Sequence, residues 1–293
     1  MKKVIIITEK YGELGNRLFR FARFFSFAQR EKYYLFDLTF FQYSYLYAPR
    51  NFFVALFFVA LRLLNNQRLK KIEKKLSVSP RVISWRVTPE QDKAKVIEFS
   101  RLEKVMNETS RRILLFTKGS FFFWCGGIEE QMKERLQGIF RLKSKYLKTA
   151  QTLLNQAGIA SQKNKIVAVH IRQGDYKIFA GGIYYFEEAV YAASMRNLLA
   201  THQGSGTIAF VLITKEKINL QDFEGLPFEF FENQSIGVDQ ALLQLCDYII
   251  SPKSTFSSWP SFLYNIPQGI IQNKNIPLEW SDFQVAEALS QIN

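Results

Sequence analysis

The second half of the chain alternates between strand-length apolar runs and segments with helical periodicity. Apolar runs at 166–171, 207–214, 248–251 and 269–272 are separated by helix-period segments at about 185–199, 239–246 and 257–264. Strands joined through helices form crossover units, so this half reads as a Rossmann-like α/β domain. The N-terminus opens the same way. A strand at 4–8 is followed by a loop with Gly12 and Gly15, and then Leu14, Leu18, Phe21, Ala22 and Phe25 recur at helical spacing before a second strand at 33–38. A parallel α/β layer is therefore expected on each side of a polar stretch at 151–165, which sets the expected domains at 1–160 and 161–293.

Residues 40–80 interrupt this pattern. Aromatic residues (Phe40, Phe41, Tyr43, Tyr45, Tyr47) precede an apolar run at 52–64, and a basic stretch follows with Arg68, Lys70, Lys71, Lys74 and Lys75. An apolar helix beside a basic one suits a membrane interface, and it equally suits a covered helix pair with a solvated cationic face. The apolar run is interrupted by Arg62 and falls short of the roughly 20 residues that span a bilayer. No secretory leader is visible at Met1–Lys2–Lys3, so a reducing, cytoplasmic compartment is expected, with peripheral contact at the inner face of the membrane left open.

The 293 residues carry 39 Lys plus Arg against 26 Asp plus Glu, a formal charge of +13 that favours anionic partners. Nucleic acid, anionic membrane and nucleotide phosphates all qualify on charge alone. The two cysteines, Cys125 and Cys246, form no metal-ligand pattern, and Cys246 reads as a small buried thiol. No metal site is expected.

Three polar segments follow apolar strands, the position where open α/β sheets gather ligands. In His170–Ile171–Arg172–Gln173–Gly174–Asp175–Tyr176, strand alternation puts His170 and Arg172 on one face. A guanidinium fits a diphosphate because its planar fork donates two charge-assisted hydrogen bonds and never loses its charge. Arg172 would stabilise a departing diphosphate, while Asp175 would either orient Arg172 or bind the ligand. The plainer reading is a buried imidazole and a surface ion pair.

In Ser251–Pro252–Lys253–Ser254–Thr255–Phe256–Ser257–Ser258–Trp259, hydroxyls cluster between a strand end and a helix start, where free N–H groups can hold a phosphate. Simple N-capping by Ser254 or Ser257 is the alternative. The third segment, Gly12–Glu13–Leu14–Gly15–Asn16–Arg17, allows close backbone approach to a ligand or is an ordinary βα loop. It lacks the Gly-x-Gly-x-x-Gly pattern, so Asp37 is weak support for a dinucleotide.

In this order the three segments resemble the α-1,2-fucosyltransferase family and its wider group of GDP-fucose-dependent enzymes. The family pattern runs Gly-x-Leu-Gly-Asn-Gln, His-x-Arg-Arg-Gly-Asp-Tyr and Ser-x-Ser-Thr-Phe-Ser-Trp-Trp-Gly. Asp239 with Leu242, Leu243, Cys246 and Asp247 resembles the helix before the last motif, and Tyr184–Tyr185–Phe186 an aromatic pair after the central one. Four positions depart from the pattern: Arg17, Gln173, Ser258 and Pro260.

The resemblance implies two facing Rossmann-like domains of GT-B type, with the active site in the cleft between them. The N-terminal domain would take the glycan acceptor and the C-terminal one the donor. It implies an inverting, metal-independent transfer of fucose from GDP-fucose to an acceptor hydroxyl, without a cofactor beyond that donor substrate. Arg172 and Asp175 would be catalytic. His170, Arg172, Asp175, Asp239, Ser254, Thr255, Phe256, Ser257, Gly12, Gly15 and Asn16 would bind the donor. The absence of an Asp-x-Asp motif agrees with a cationic side chain standing where a divalent ion would otherwise sit. Glu13 and Asp175 are the candidates for general base.

Two rival readings stand beside a degenerate transferase that keeps the fold and the donor but has lost turnover through Gln173 and Ser258. One keeps the architecture with GDP-mannose or a UDP-sugar as donor. The other is a non-catalytic basic protein that holds anionic membrane or nucleic acid, with nucleic acid disfavoured because the motifs sit at strand ends rather than along a basic stripe.

Overall fold

The computed structural model describes residues 2–10, 12–86, 104–118, 128, 130–159, 164–204 and 206–287. They form two compact units, Met1–Arg141 and Leu142–Glu287.

In the first unit, strand β1 (Val4–Ile7) leads through Gly12 into helix α1 (Leu14–Arg30) and strand β2 (Tyr34–Asp37). With β3 (Val82–Arg86) and β4 (Ile113–Lys118) these make a parallel sheet of order β2-β1-β4-β3. Gly12 has φ +57, and a Cβ there would stand 2.1 Å from the Asn16 amide nitrogen, so the β1–α1 turn requires glycine. One face of α1 places Phe24, Phe27 and Ala28 against Ile5, Ile7 and Leu114. Its other face builds an aromatic cluster in which Phe21 meets Phe140 (5.0 Å) and Phe40 (5.8 Å).

Helix α1 also buries three arginines, Arg17, Arg20 and Arg23. Arg20 pairs with Asp37 at 2.9 Å and bonds the Thr39 hydroxyl at 2.8 Å. Asp37 further accepts from the Thr39 amide and hydroxyl. Its carboxylate is thus committed to closing the β2 end, which explains the acidic residue without a ribose. Arg17, where the resemblance expects glutamine, donates to the carbonyls of Gly12 and Thr39 and to the Gln42 amide oxygen.

The interruption at 40–80 folds as two helices, α2 (Phe52–Leu61) and α3 (Asn66–Ser77), bent by 108°. Asn51 and Asn65 cap them by accepting from first-turn amides. Among the described residues no single helix is long and apolar enough to cross a membrane. Helix α4 (Glu130–Ile139) closes the unit.

The second unit contains helix α5 (Ser144–Gln156), β5 (Asn164–His170), α6 (Glu188–Ala200), β6 (Thr207–Ile213), β7 (Phe228–Phe230), α7 (Ile236–Leu245), β8 (Tyr248–Ser251), α8 (Thr255–Tyr264), β9 (Pro267–Ile270) and β10 (Gln284–Val285). The unit begins ahead of the polar stretch because α5 packs on α7: a Cβ at Gly237 would lie 2.7 Å from the Tyr146 ring. The sheet order is β10-β9-β8-β5-β6-β7, parallel except for β10. From β5 the chain builds outward through β6 and β7, then returns to place β8 on the other side of β5. The carboxyl ends of β5 and β8 therefore form the topological switch point, where such sheets bind ligands.

Helix α8 starts at Thr255, two residues before the expected 257, so Pro260 lies in its second turn. Proline cannot donate to the Phe256 carbonyl four residues back. The Gln240 side chain from α7 donates to that carbonyl instead, at 2.9 Å. Cys246 is fully buried and its thiol is pushed up by burial, as an inert core residue; Cys125 lies outside the described residues.

Candidate functional site

Strand β5 ends in His170, buried between the strand and the start of α8, where its ring lies 5.3 Å from that of Phe256. Burial, with the charges of Arg172 and Lys215, pushes the imidazole down to about 3, so it is neutral at physiological pH. Its Nδ1 is buried without a hydrogen-bond partner among the described residues.

Two residues on, Arg172 projects from the loop that follows. Asp175 accepts from it through both oxygens, Nε to Oδ1 and Nη2 to Oδ2, each at 3.0 Å. Asp175 is 58% exposed, so the pair adds little stability. Its consequence is geometric, because a two-point grip fixes the plane of the guanidinium. The Tyr176 ring supports the same group, 5.3 Å from Cζ.

Tyr176 also spans the switch point. Its phenol donates to the Lys253 carbonyl at 2.8 Å, linking the β5 loop to the β8 loop, and lies against the Ser254 side chain. Ser254 occupies the N-cap of α8, yet its side chain makes no cap bond. Ser257 is fully buried, donates to the Ser254 carbonyl and accepts from Gln268, so it braces the helix start from inside. Thr255 and Phe256 form the first turn above it.

Asp239 sits in the first turn of α7 and is 4% exposed, with no hydrogen-bond partner for its carboxylate among the described residues. Burial pushes its pKa up to about 7, against the opposing charge of Lys215. The Asp239 oxygens are not among the atoms sealed without a partner, so the carboxyl is open to a donor from a ligand. Gln173, at the position where the resemblance expects a second arginine, donates to the Phe186 carbonyl (3.1 Å) and to Glu188 (3.0 Å), anchoring the loop to the start of α6.

The structure thus brings His170, Arg172, Asp175 and the Ser254–Ser257 turn together at the carboxyl ends of β5 and β8, and Lys215 acts on both His170 and Asp239. Gly12, Gly15 and Asn16 belong to the other unit, at the carboxyl end of β1. Of the two candidate bases, Asp175 is engaged by Arg172, and Glu13 accepts from the Tyr43 phenol.

Two cations escaped the reading of the sequence. Lys215, two residues past the end of β6, lowers both His170 and Asp239 electrostatically. The rule that located the other segments, a polar residue directly after an apolar strand, also marks Lys215. Lys253 lies inside the second motif, and partial burial holds its ammonium below the ordinary value. Among the described residues no cluster of three or more His, Cys, Asp or Glu could hold a metal ion.

The first unit has a cavity of its own, 670 Å³, at the carboxyl end of β1. Thr8, Glu9 and Lys10 line one side and Asn66, Lys70 and Lys74 of α3 the other. Burial and the charges of Arg17 and Lys70 hold the Lys10 ammonium below its ordinary value.

The sequence matches no protein-family model. It also finds no significant match among curated proteins. Solved structures do match. The fucosyltransferase NodZ from Bradyrhizobium aligns over 97% of this chain and 97% of its own, at TM-score 0.54 and 16% identity. The chain has a Rossmann-like α/β fold of GT-B type. A variant of Arabidopsis thaliana FUT1 in complex with GDP shares this GT-B fold at TM-score 0.57 and 10% identity, over 97% of this chain and 74% of that one. POFUT1 in complex with GDP does so at TM-score 0.51 and 11% identity, covering 90% and 96%.

Proposed function

We propose that the protein transfers fucose from GDP-fucose to a hydroxyl of a glycan acceptor, with inversion and with α-1,2 linkage. The observation that carries this reading is Arg172, held by Asp175 at the switch point of a GT-B sheet. The structures of similar fold bind GDP, and NodZ has also been soaked with GDP-fucose.

In the reaction the acceptor oxygen bonds to the anomeric carbon as the bond from that carbon to the β-phosphate oxygen breaks. The electron pair stays on the diphosphate, which leaves as GDP, and the hydroxyl proton passes to a base. Negative charge grows on the leaving oxygen, and Arg172 meets it with a guanidinium whose plane is already set. Lys215 and Lys253 add positive charge at the ends of β6 and β8, and Ser254 and Thr255 offer hydroxyls and first-turn amides to the second phosphate.

The base of the nucleotide meets the carboxyl that lacks a donor. The edge of guanine carries adjacent N–H donors that suit the carboxylate of Asp239, and the His170 ring supplies a further polar edge. A guanine donor therefore fits better than a uracil one, whose edge carries a single ring N–H. The acceptor is assigned to the first unit, where the cavity lined by Lys10, Lys70 and Lys74 together with Glu9 and Glu73 suits a polar glycan.

A donor screen tests the proposal. GDP-fucose, GDP-mannose and UDP-galactose are each incubated with the protein, and release of the nucleoside diphosphate is followed. Selective turnover of GDP-fucose supports the proposal. Selective turnover of another donor keeps the architecture and replaces the sugar, and turnover of none, with no binding of GDP, returns the basic binding-protein reading.

A further inference from the structure

Helix α2 reads Phe-Phe-Val-Ala-Leu-Phe-Phe-Val-Ala-Leu, ten residues without a polar side chain. A helix that is apolar all round belongs in a core or in lipid, yet only half of this one is covered. Its inner face seats Phe58 against Tyr47 (6.3 Å) and Phe140 (6.2 Å), in the aromatic cluster of the first unit. Its outer face is bare: Phe52 is 74% exposed, Phe53 76%, Leu56 57%, Val59 50%, and Leu63 just beyond the helix 68%. At 100° per residue these positions fall on one stripe. A rigidly anchored helix presenting a continuous apolar stripe marks an interaction surface.

The neighbouring helix identifies the partner. On α3, Leu69 is buried and Ile72 and Leu76 are half-buried, while Arg68, Lys70, Lys71, Lys74 and Lys75 are exposed. An apolar stripe followed, four residues on, by a helix with exposed cations supplies the two kinds of surface that an anionic bilayer offers partners for, acyl chains below and phosphate headgroups above. Ten helical residues extend about 15 Å, half of the hydrocarbon thickness, so α2 would lie along the interface rather than cross it. A second copy of the chain fits less well, since it would bring two such sets of cations toward each other on molecules that each carry +13.

We infer that the α2–α3 pair docks the protein on an anionic lipid bilayer, with Phe52, Phe53, Leu56, Val59 and Leu63 inserted below the headgroups and Lys71 and Lys75 of α3 on the phosphates. This assignment does not depend on the donor chemistry. Such docking would set the first unit's cavity, whose wall is also α3, at the membrane surface, where a lipid-linked glycan would be presented.

The full-length protein is sedimented with vesicles of phosphatidylcholine alone and of phosphatidylcholine mixed with phosphatidylserine. Binding to the anionic vesicles, weakened by added salt, is expected. One variant combines Phe52→Ser, Phe53→Ser and Leu56→Ser, and a second combines Lys71→Glu and Lys75→Glu, two lysines outside the cavity wall. Each is expected to lower vesicle affinity at least about tenfold with an unchanged circular dichroism spectrum and melting temperature. Three results overturn the proposal. One is no binding to anionic vesicles at low salt. Another is full binding by the serine variant, which would leave only the attraction of a cationic protein. The third is a concentration-dependent dimer in the absence of lipid that the serine variant abolishes, which would make the stripe a contact between copies.

Discussion

The phenol of Tyr176 donates to the backbone carbonyl of Lys253 at 2.8 Å, tying the loop after β5 to the loop after β8. Since the same tyrosine ring lies under Arg172, one side chain sets both the width of the switch point and the position of its cation. Tyr176→Phe keeps the ring and removes the tie. It is expected to weaken GDP binding by about 1 kcal/mol, roughly fivefold, and to lower the melting temperature slightly, because a partly buried carbonyl loses its donor. Calorimetry beside a thermal melt measures both, and an unchanged affinity would show that the tie does not shape the site.

Asp175 acts through Arg172 in this account. Asp175→Asn keeps one acceptor oxygen but loses the charged two-point grip, so GDP affinity should fall by less than with Arg172→Ala, and most of the loss should appear in turnover. If Asp175 were instead a ligand of the nucleotide, both variants would raise the dissociation constant alike. Comparing Kd with kcat for the two variants separates these cases.

His170 and Asp239 give the fold an unusual proton balance. The imidazole falls from 6.5 to about 3 on folding, so its contribution is fully present above 6.5 and lost as pH falls toward 3. The Asp239 carboxyl rises from 3.8 to about 7, so its contribution is present below 3.8 and lost as pH rises through 7. Between 3.8 and 6.5 the unfolded chain holds a proton on His170 and the folded chain holds one on Asp239, and the two slopes cancel. Each single variant should expose the other slope. Relative to wild type, Asp239→Asn should lose stability as pH drops through this window, and His170→Gln should lose it as pH rises. Urea unfolding across the window reads this directly, and curves parallel to wild type would contradict it.

Gln240 substitutes for the amide that Pro260 lacks, by donating to the Phe256 carbonyl at 2.9 Å. Gln240→Leu should destabilise the second unit by about 1–3 kcal/mol, since the carbonyl is left without a partner. Pro260→Ala restores a backbone donor and should recover part of that loss in the double variant. A double-mutant cycle with no coupling would show that the two residues are independent.

Much of this was legible in the sequence because parallel strands and their crossover helices leave strong periodic patterns. The strands ending at His170, Ile213 and Ser251 lie within a residue or so of their expected ends. The hidden parts depend on tertiary burial. Asp239 is marked in the sequence only by the resemblance; the packing of α7 shows that the residue is 4% exposed and its carboxyl pKa held up by burial. Likewise Asp37 reads as a strand-end carboxylate until Arg20, seventeen positions earlier on α1, is seen to hold it. Arg17 and Gln173 depart from the resembled pattern, and both are hydrogen-bonded into their loops, so the loops are kept by different side chains. Nothing in the structure explains Ser258 in place of tryptophan.

The central claim is that Arg172 holds the donor diphosphate, and titration of GDP into the protein and into Arg172→Ala by calorimetry, with a chelator present, tests it most directly. The account predicts metal-free binding by the wild type and a loss of about 2–4 kcal/mol, roughly 30- to 1000-fold in Kd, in a variant that melts like the wild type. Equal GDP affinity in the two proteins, or no binding by either while both are folded, would contradict it.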